Sequence, residues 1–511
     1  MSRIELAQLA TRYDVMIVGG GITGAGIARE AARSGASVLL VEQADFASGT
    51  SSWSSKLVHG GLRYLKNGQW RLTLESVRER QRLLDQAPGL VEPLRFLMPI
   101  YRGIKPGKLT MRFGLWLYDR MAGKAASRWL SAAATLSQEP DLRRANLRGA
   151  VSYLDARTDD ARLVLRLLLE AADAGATVRN YTRATLRVED GRTCGAILTD
   201  ALDGKTRQIN ADVVINASGA WADQLPGASS GQIKLRPLRG SHLVFAAKRL
   251  PIQQAVSWLH PRDQRPVFAH PWEGAVVYGT TDLDHDGDLA HPRMRLAEAD
   301  YLIEGLRYQF PELGLSAKDA LSAYAGVRPV VDGGKDDPSA ESRESAMWSS
   351  AGLVNITGGK LTTFRVTARE VLHEAAKQLP KLAPRDDQPV FAAPLAAHSD
   401  LHRRLFGRLG ERAASALLKQ AAAEEIESIG DTAYCWAELR WAARHERVCH
   451  LDDLLMRRTR IGLVMTEGGR EILPRVKTIC MDELGWDGAR WDFEMTRYRD
   501  YWQQQHRPPV A

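Results

Sequence analysis

The sequence predicts an α/β fold that opens with a Rossmann-like unit and closes with an all-helical domain. An apolar strand, a glycine-rich turn and a helix follow one another over residues 14–33, and a second apolar strand follows at residues 37–42. Far along the chain, the Pro-rich segment "PRDDQPVFAAP" begins at residue 384, and residues 395–511 have almost entirely helical spacing. These three observations predict parallel strands at the N terminus and a domain boundary near residue 384.

The glycines of the first turn, "GGGITG", have the G-x-G-x-x-G spacing of a dinucleotide-binding turn, carried by Gly19, Gly21 and Gly24. Gly19 permits the tight turn, Gly21 lets a pyrophosphate approach the helix N terminus, and Gly24 lets helix and strand pack closely. Glu42 ends the second strand, where a carboxylate accepts hydrogen bonds from the adenosine ribose hydroxyls. A tight turn in an ordinary parallel sheet would not require an acid there, and an acid disfavours a 2′-phosphate. The pattern therefore predicts a dinucleotide other than NADP.

Composition limits the remaining classes. The chain has 511 residues, which favours two or three domains, and 44% of them are hydrophobic, as in globular proteins. Its four cysteines form no C-x-x-C motif, which disfavours a zinc site or a disulfide framework and fits a reducing compartment. The segment "DLDHDG" opens like a calcium loop but has Arg293 in place of the final glutamate, so no metal site is predicted. We expect neither a signal peptide nor a membrane span, because apolar runs of about 18 residues are missing.

The net charge is +8, from 69 basic and 61 acidic residues, and part of the excess is concentrated in residues 95–128. That stretch holds eight Lys or Arg and one acid, Asp119, with Phe113, Trp116 and Tyr118 among them. Two interpretations stay open. The aromatics and bases could lie in a membrane interface, or the aromatics could be core and the bases a solvated face. No recognised binding motif accompanies the charge, so a nucleic-acid partner is not expected.

Two later segments are predicted to return to the nucleotide. Residues 46–65 are dense in Ser, Thr and Gly, which predicts a loop, and Gly60 and Gly61 follow His59 and leave room for a flat ring system. An apolar strand ends in small residues at 217–220, which brings another turn close to the first. A nicotinamide domain needs no such return, whereas a flavin enzyme of the two-dinucleotide-motif type does.

Six motifs, in order between residues 19 and 365, carry a resemblance to a known family: "GGGITGAGIA", "TSSWSSKLVHGGLRYL", "LRGSHLVF", "VVYGTTD", "AGVRPV" and "TGGKLTTFR". Together with "LRWAARHERVCHLDDLLMRRTRIGL" near the C terminus, they make the sequence resemble the FAD-dependent glycerol-3-phosphate dehydrogenases, within the D-amino-acid-oxidase-like flavoproteins. The resemblance implies an α/β, two-dinucleotide-motif FAD domain over residues 1–384. It implies an interleaved mixed-sheet substrate domain, mainly at about residues 85–150 and 225–330, and a helical C-terminal domain over residues 385–511.

The resemblance also implies that non-covalent FAD lies along the first domain. A lysine at a helix start would stabilise negative charge that develops near flavin N1 and O2. The implied FAD positions are Gly19, Gly21, Ile22, Thr23 and Gly24 at the pyrophosphate; Glu42 at the ribose; Thr50, Ser51, Ser55, Lys56 and Leu57 along the ribityl chain and phosphates; His59 and Gly61 at the flavin ring; Ala184 near the adenine; Gly219 and Ala220 on the returning strand; and Gly359, Lys360, Leu361 and Thr362 at the pyrimidine end of the isoalloxazine.

On the substrate side, the resemblance implies an anion site beside a base. Arg63, Arg328 and Lys360 occupy the family's anion-binding positions, where arginine can grip a phosphomonoester bidentately. His242 is the family's candidate base for the hydroxyl proton, because neutral imidazole takes up a proton near pH 7. The residues implied to orient the substrate are Tyr64 and Thr280.

The implied reaction is oxidation of sn-glycerol 3-phosphate to dihydroxyacetone phosphate. The C2 hydride would pass to FAD N5 and the electrons onward to a membrane quinone. The implied location is cytoplasmic, on the inner face of the cytoplasmic membrane; the oligomeric state stays open, a homo-oligomer included. Two alternatives remain. An amino-acid or amine oxidase of the same fold would bind a carboxylate with one Arg and a Tyr, and a flavin-bearing binding protein would not turn over.

Overall fold

A computed structural model describes residues 3–61, 70–103, 107–123, 126–227, 234–334, 345–385, 389–392 and 397–510. The strands in these ranges are β1 (Arg12–Val18), β2 (Val38–Val41), β3 (Leu57–Val58), β4 (Val91–Tyr101), β5 (Arg128–Ser131), β6 (Leu147–Thr158), β7 (Thr177–Arg179), β8 (Thr182–Glu189), β9 (Arg192–Asp200), β10 (Thr206–Asn216), β11 (Leu235–Ala246), β12 (Ala255–Leu259), β13 (Pro266–Trp272), β14 (Ala275–Gly279), β15 (Leu283–Asp284), β16 (Ala320–Val331), β17 (Ala346–Ser350) and β18 (Leu353–Thr357). The α-helices are α1 (Ile22–Arg33), α2 (Trp70–Gln86), α3 (Lys108–Ala122), α4 (Ala132–Gln138), α5 (Asp160–Asp173), α6 (Leu296–Gln309), α7 (Phe364–Ala376), α8 (Asp400–Leu409), α9 (Glu411–Gln420), α10 (Trp436–His445), α11 (Ile461–Val464), α12 (Leu473–Leu484) and α13 (Gly488–Gln505).

The first sheet carries the nucleotide-binding unit. Its main path runs β17-β18-β10-β1-β2-β7, and β9 adds to β10 and carries β8. Strand β1 pairs in parallel with β2 and with β10, so the strand from the middle of the chain returns beside the first one. Strand β2 is buried along its whole length, as expected for a parallel strand covered on both faces.

Helices α1, α5 and α7 cover one face of this sheet through one apolar core. The contact between α1 and α7 depends on Gly26, where a Cβ would lie 2.9 Å from the ring of Phe364. The other face is covered through β8 and β9, with Met16 and Leu39 packed against Ala184 and Leu198. The glycine turn therefore sits on a rigid three-layer unit.

The second sheet is mixed and draws its strands from two parts of the chain, residues 91–158 and 235–331 together with the short β3. Its main path is β15-β11-β14-β13-β12-β4-β6-β3, while β16 pairs with β11 and β5 with β6. Strands β4 and β12 run parallel, and β4 and β6 run antiparallel. Residues 95–101 belong to β4, and the surface helix in the described part of the basic stretch 95–128 is α3.

The C-terminal part is helical, as its spacing predicts. Helices α8 to α13 are joined by short turns and by a π-helix, Asp453–Arg458. Helices α10 to α13 share an apolar core with the second sheet, in which Val244 and Tyr324 of β11 and β16 meet Leu455 and Leu463, while α8 and α9 pack in a smaller cluster. None of the helices in the described ranges combines the length and apolarity that crossing a membrane requires. Nor do the described residues bring together three or more His, Cys, Asp or Glu side chains in a metal-binding arrangement.

Candidate active site

The glycine turn between β1 and α1 forms a cradle in which two positions admit only glycine. Gly19 has φ +117°, and a Cβ there would lie 2.4 Å from the carbonyl oxygen of Ala217, at the end of β10. A Cβ on Gly24 would lie 1.9 Å from the carbonyl oxygen of Gly19. Helix α1 begins at Ile22, whose N–H donates to Ser51 Oγ at 2.9 Å. The first N–H groups of α1, including that of Thr23, lack intrahelical partners by geometry and suit a pyrophosphate.

Glu42 lies at the edge of this cradle. Its Oε2 accepts a hydrogen bond from the N–H of Gly20 at 2.7 Å, and its Oε1 accepts one from the N–H of Ala44 at 3.0 Å. A carboxylate has about four lone-pair sites, so each oxygen can still accept from a ribose hydroxyl. Burial raises the pKa of Glu42, although the backbone donors oppose that effect. Its carbonyl accepts from the N–H of Thr182 at 2.7 Å, which brings the buried Ala184 of β8 close to the same edge.

The loop of residues 48–58 connects the cradle to the second sheet. The hydroxyl of Thr50 donates to the carbonyl of Val327 on β16, and Ser55 Oγ lies 2.9 Å from Nε2 of His242 on β11. Lys56 is fully buried, and its Nζ donates to both carboxylate oxygens of Asp160, at 3.0 and 2.9 Å. Because the ammonium group of Lys56 is paired with Asp160, a cofactor could contact this residue only through its backbone. Leu57 follows in the short strand β3.

Two distant segments meet at the predicted flavin ring position. Thr362 Oγ1 donates to the carbonyl of His59 at 3.4 Å, and α7 begins two residues later at Phe364. Lys360 and Leu361 lie in the turn before that helix, where Gly359 has φ +81°. Gly60 leaves space for Tyr118, whose hydroxyl oxygen would lie 2.3 Å from a Cβ at that position. The next residue, Gly61, has φ +75°.

The turn that follows β10 lies beside these segments. The carbonyl of Gly219 accepts from Thr357 Oγ1 at 2.9 Å, which joins the end of β10 to the end of β18. Ala220 and Trp221 line a small crevice together with Gly49 and Thr50. The first dinucleotide turn, the loop of residues 48–58 and the returning strand therefore converge, as the sequence predicts.

Strands β11 and β16 carry the predicted substrate residues on one face. Their register sets His242 opposite Tyr324, Gly240 opposite Gly326 and Leu238 opposite Arg328. Because side chains alternate between the faces of a strand, these positions share a face. A Cβ on Gly240 would lie 2.4 Å from Arg328 Nη2 and 2.8 Å from Thr280 Oγ1. The glycine of the "LRGSHLVF" motif thus makes room for the guanidinium.

The guanidinium of Arg328 is held by Asp282 and Thr280 and is partly exposed to solvent. Its Nη1 donates to Asp282 Oδ1 at 2.7 Å and its Nη2 to Thr280 Oγ1 at 3.4 Å. The Arg328 side chain remains 25% exposed, whereas that of Asp282 is fully buried and also pairs with Arg265 at 3.4 Å. The carboxylate orients the guanidinium, and the exposed part can meet an anion. Two predicted residues, Arg63 and Tyr64, lie outside the described residues.

His242 is buried and held on two sides. Its ring stacks on that of Tyr324, with centroids 4.7 Å apart and an interplanar angle of 12°. Its Nδ1 has no hydrogen-bond partner among the described residues. Burial lowers the pKa of His242 well below its usual value, and the charges of Arg328 and Lys56 add to the effect. The imidazole is therefore neutral at physiological pH, as a proton acceptor must be.

Sequence reasoning missed several members of this site. Asp282 was weighed only as part of a calcium loop, whereas it orients Arg328. Tyr324 carries no motif of its own, although it lies four residues before Arg328 and so on the same face of β16. The contact of Ser55 with His242 joins a residue predicted for the cofactor to one predicted for the substrate. No local spacing in the sequence indicates that contact.

Comparison with known proteins agrees with this geometry. A family model described as FAD dependent oxidoreductase matches residues 14–372, and one described as the C-terminal domain of alpha-glycerophosphate oxidase matches residues 355–491. The chain belongs to the FAD-dependent oxidoreductase family.

Among its relatives are proteins named aerobic glycerol-3-phosphate dehydrogenase. The one from Bacillus subtilis (strain 168) is 41% identical over 384 residues, which cover 74% of this chain and 69% of that protein. The one from Staphylococcus haemolyticus (strain JCSC1435) is 40% identical over 375 residues, or 72% and 67% of the two chains. The X-ray structure of glycerol-3-phosphate dehydrogenase from Bacillus halodurans complexed with FAD superposes with a TM-score of 0.74 at 28% identity, covering 97% of this chain and 95% of that one.

These findings confirm the predicted fold class, an α/β FAD fold with a mixed-sheet substrate domain and a helical C-terminal domain. They also confirm FAD as the cofactor and the resemblance to the FAD-dependent glycerol-3-phosphate dehydrogenases. The roles of individual site residues are proposals and are argued below.

Proposed function

We propose that this enzyme oxidises sn-glycerol 3-phosphate to dihydroxyacetone phosphate and passes the electrons to a membrane quinone. The observation that carries the proposal is the shared face of β11 and β16, where a partly exposed guanidinium and a buried neutral imidazole lie four register positions apart. A phosphorylated secondary alcohol needs both groups, a cation for the phosphate and a base for the hydroxyl proton. Relatives about 40% identical bear the name of this activity.

Arg328 is the proposed phosphate ligand in the described part of the site. Asp282 holds Nη1 at 2.7 Å, so the guanidinium keeps one orientation before the substrate arrives. Such preorganisation reduces the entropy lost when the phosphate binds. Arg63 and Lys360 are proposed as further cations, and Tyr64 and Thr280 as groups that orient the substrate. Thr280 Oγ1 lies 3.4 Å from Arg328 Nη2, close enough for one substrate to contact both side chains.

His242 is the proposed base. Oxidation of the alcohol removes one proton from the hydroxyl group and one hydride from C2. When bound, FAD supplies the acceptor for that hydride, at N5. The Nε2–H tautomer of His242 donates to Ser55 Oγ at 2.9 Å and leaves the lone pair of Nδ1 to take the hydroxyl proton. The phosphate charge near Arg328 offsets one cause of the low pKa of His242 and so strengthens the base when substrate is present.

The chain's own residues fit the shape and charge of FAD. Backbone carbonyl oxygens exclude any side chain at Gly19 and Gly24, which keeps the turn tight and holds the N terminus of α1 at the end of β1, where a pyrophosphate would bind. The carboxylate oxygens of Glu42 can accept further hydrogen bonds from ribose hydroxyls. Ser51 Oγ accepts from the N–H of Ile22 and so connects the loop of residues 48–58 to the start of α1. The turn at Lys360, just before α7, suits the pyrimidine end of the ring system because a helix N terminus and a cation both favour negative charge.

Helix α3 is the proposed contact with the membrane, where the quinone acceptor resides. Phe113 and Trp116 are 65% and 54% exposed, and their rings stack with centroids 5.9 Å apart. Arg120 lies over the ring of Trp116, whereas Leu115 and Tyr118 on the opposite face are buried. An exposed aromatic pair with neighbouring bases is the composition of a helix that lies in a lipid interface.

Anaerobic mixing of the FAD-loaded enzyme with candidate substrates tests the proposal. Glycerol 3-phosphate should bleach the flavin absorbance, and glycine and sarcosine at the same concentration should not. Bleaching by the amino acids alone would instead favour an amino-acid or amine oxidase of the same fold. An unchanged spectrum with all three compounds would favour a flavin-bearing binding protein.

A further inference from the structure

A buried arginine of the C-terminal domain reaches the loop that contacts His242, near the contact between Trp53 of the loop and His506. Arg460 follows the π-helix Asp453–Arg458 and is fully buried. Its Nε donates to Asp159 Oδ1 at 3.0 Å, its Nη2 to Asp160 Oδ1, and its Nη1 to the carbonyl of Met456 at 2.8 Å. The same Nη1 lies 3.4 Å from the carbonyl of Ser52, in the loop itself.

Asp160 connects this arginine to the loop. Its Oδ2 accepts from the N–H of Ser54 at 3.0 Å, from Ser54 Oγ at 2.7 Å and from Lys56 Nζ at 2.9 Å. Among the described residues, Arg460 and Lys56 form ion pairs with this carboxylate. Ser54 and Lys56, the two neighbours of Ser55, are therefore both anchored to the carboxylate that Arg460 holds.

The backbone around Ser55 depends on this anchoring. Lys56 has φ +58°, a conformation that residues other than glycine adopt only when the surrounding structure imposes it. Its N–H donates to Ser54 Oγ at 3.1 Å, and its Nζ also donates to the carbonyl of Ser52. With these contacts in place, Ser55 Oγ lies 2.9 Å from His242 Nε2.

We propose that Arg460 is a positioning residue, which holds Asp160 and thereby sets Ser55 against His242. Ser55 in turn holds the ring through Nε2, and in the tautomer that carries the proton on Nε2 the lone pair of Nδ1 can accept the hydroxyl proton. This inference rests on the proposed function for the role of His242 as base. It gives the helical C-terminal domain a part in the reaction, although none of its described residues touches the substrate residues assigned above.

A double-mutant cycle on the FAD-loaded full-length enzyme tests the proposal. Ser55→Ala should slow flavin reduction by saturating glycerol 3-phosphate by about two- to tenfold, the effect of one lost hydrogen bond. Arg460→Met should slow it by a similar factor with KM changed less than about twofold, because Arg328 still holds the phosphate. The double variant should be no slower than the slower single variant, and Arg460→Lys should restore part of the rate. A double variant whose defect equals the product of the two factors would refute the coupling.

Arg458→Met is the matched control. Arg458 is equally buried in the same segment, but it pairs with Asp45 and does not touch Asp160 or the loop. Losing either arginine leaves a buried carboxylate under-compensated and destabilises the fold. The defect of Arg458→Met should therefore multiply with that of Ser55→Ala. If the variant with both Arg458→Met and Ser55→Ala is also no slower than the slower single variant, the coupling is a general effect of destabilisation. The proposal is then wrong.

Amide hydrogen exchange gives a readout that does not depend on turnover. Arg460→Met should accelerate exchange in a peptide covering residues 52–57, whereas Arg458→Met should not. Unchanged exchange in that peptide would overturn the positioning role even if glycerol 3-phosphate proves not to be the substrate. If Arg460→Met does not fold, Ser54→Ala replaces it, since that variant removes the hydrogen bond of Ser54 Oγ to Asp160 from the loop side and leaves that of the Ser54 N–H. Multiplicative defects of Ser54→Ala and Ser55→Ala would then refute the proposal.

Discussion

Replacing Arg328 by alanine tests the proposed phosphate grip, because the groups around the arginine keep other partners. Asp282 would still pair with Arg265 at 3.4 Å, and His242 would still lie against Ser55 and Tyr324. The lost interaction is a hydrogen bond to a charged group, worth about 1.5–3 kcal/mol. That range predicts a fall in kcat/KM for glycerol 3-phosphate of about ten- to 150-fold.

The assay compares a phosphorylated and a neutral alcohol. Stopped-flow reduction of the flavin by glycerol 3-phosphate should show the full defect in Arg328→Ala, whereas reduction by glycerol, however slow, should be nearly unaffected because it has no phosphate to lose. His242→Ala should slow reduction by both alcohols, since the hydroxyl proton must leave in either case. Arg265→Ala removes another partner of Asp282 and should leave the preference for the phosphorylated alcohol intact. Equal loss for both alcohols in Arg328→Ala would show that the arginine is structural or belongs to the flavin site.

Further predictions concern the cofactor, the surface and the acid stability of the fold. Glu42→Ala should weaken FAD binding by about 1.5–3 kcal/mol, so gel filtration at low concentration should strip flavin from the variant first; equal retention would count against the ribose contact. Replacing Arg112 and Arg120 by Glu should release the enzyme from anionic vesicles, since each basic residue near such a surface contributes about 1 kcal/mol to binding. Replacing the exposed Arg412 by Glu should not release it. Unchanged co-sedimentation of the first variant would show that α3 is a solvated helix. Burial lowers the pKa of His270 from 6.5 to about 4, so between these values the unfolded chain binds a proton that the folded chain does not. The free energy of unfolding should therefore fall by about 3 kcal/mol as the pH drops through that window, and urea unfolding at its two ends should show a smaller fall in His270→Gln. An equal fall in parent and variant would rule out this histidine as the cause.

The parts of the fold that the sequence predicts best are those fixed by short-range spacing. The turn at Gly19–Gly24 and the acid at Glu42 belong to one strand–helix–strand unit. A window of about thirty residues therefore contains all the features that predict the dinucleotide-binding turn. The return of β10 beside β1 was expected from its ending in small residues, and parallel pairing confirms it.

The remainder of the site depends on contacts that no window contains. Arg460 meets Asp160 across 300 positions, and Ser55 meets His242 across 187. In the sequence, Arg460 and Asp160 look like ordinary surface charges, Ser55 like a loop serine and His242 like a structural histidine beside an apolar strand. The composition of residues 95–128 also suggests a single surface segment, whereas part of the stretch is the largely buried strand β4 and part is the surface helix α3. Tertiary placement overrides composition in both cases.

The measurement that tests the central claim most directly is anaerobic reduction of the bound flavin by glycerol 3-phosphate with hydrogen or deuterium at C2. If the site removes the C2 hydride while His242 takes the hydroxyl proton, both compounds should reduce the flavin, the deuterated one more slowly, and each should yield dihydroxyacetone phosphate. A flavin that stays oxidised with both compounds would contradict the account.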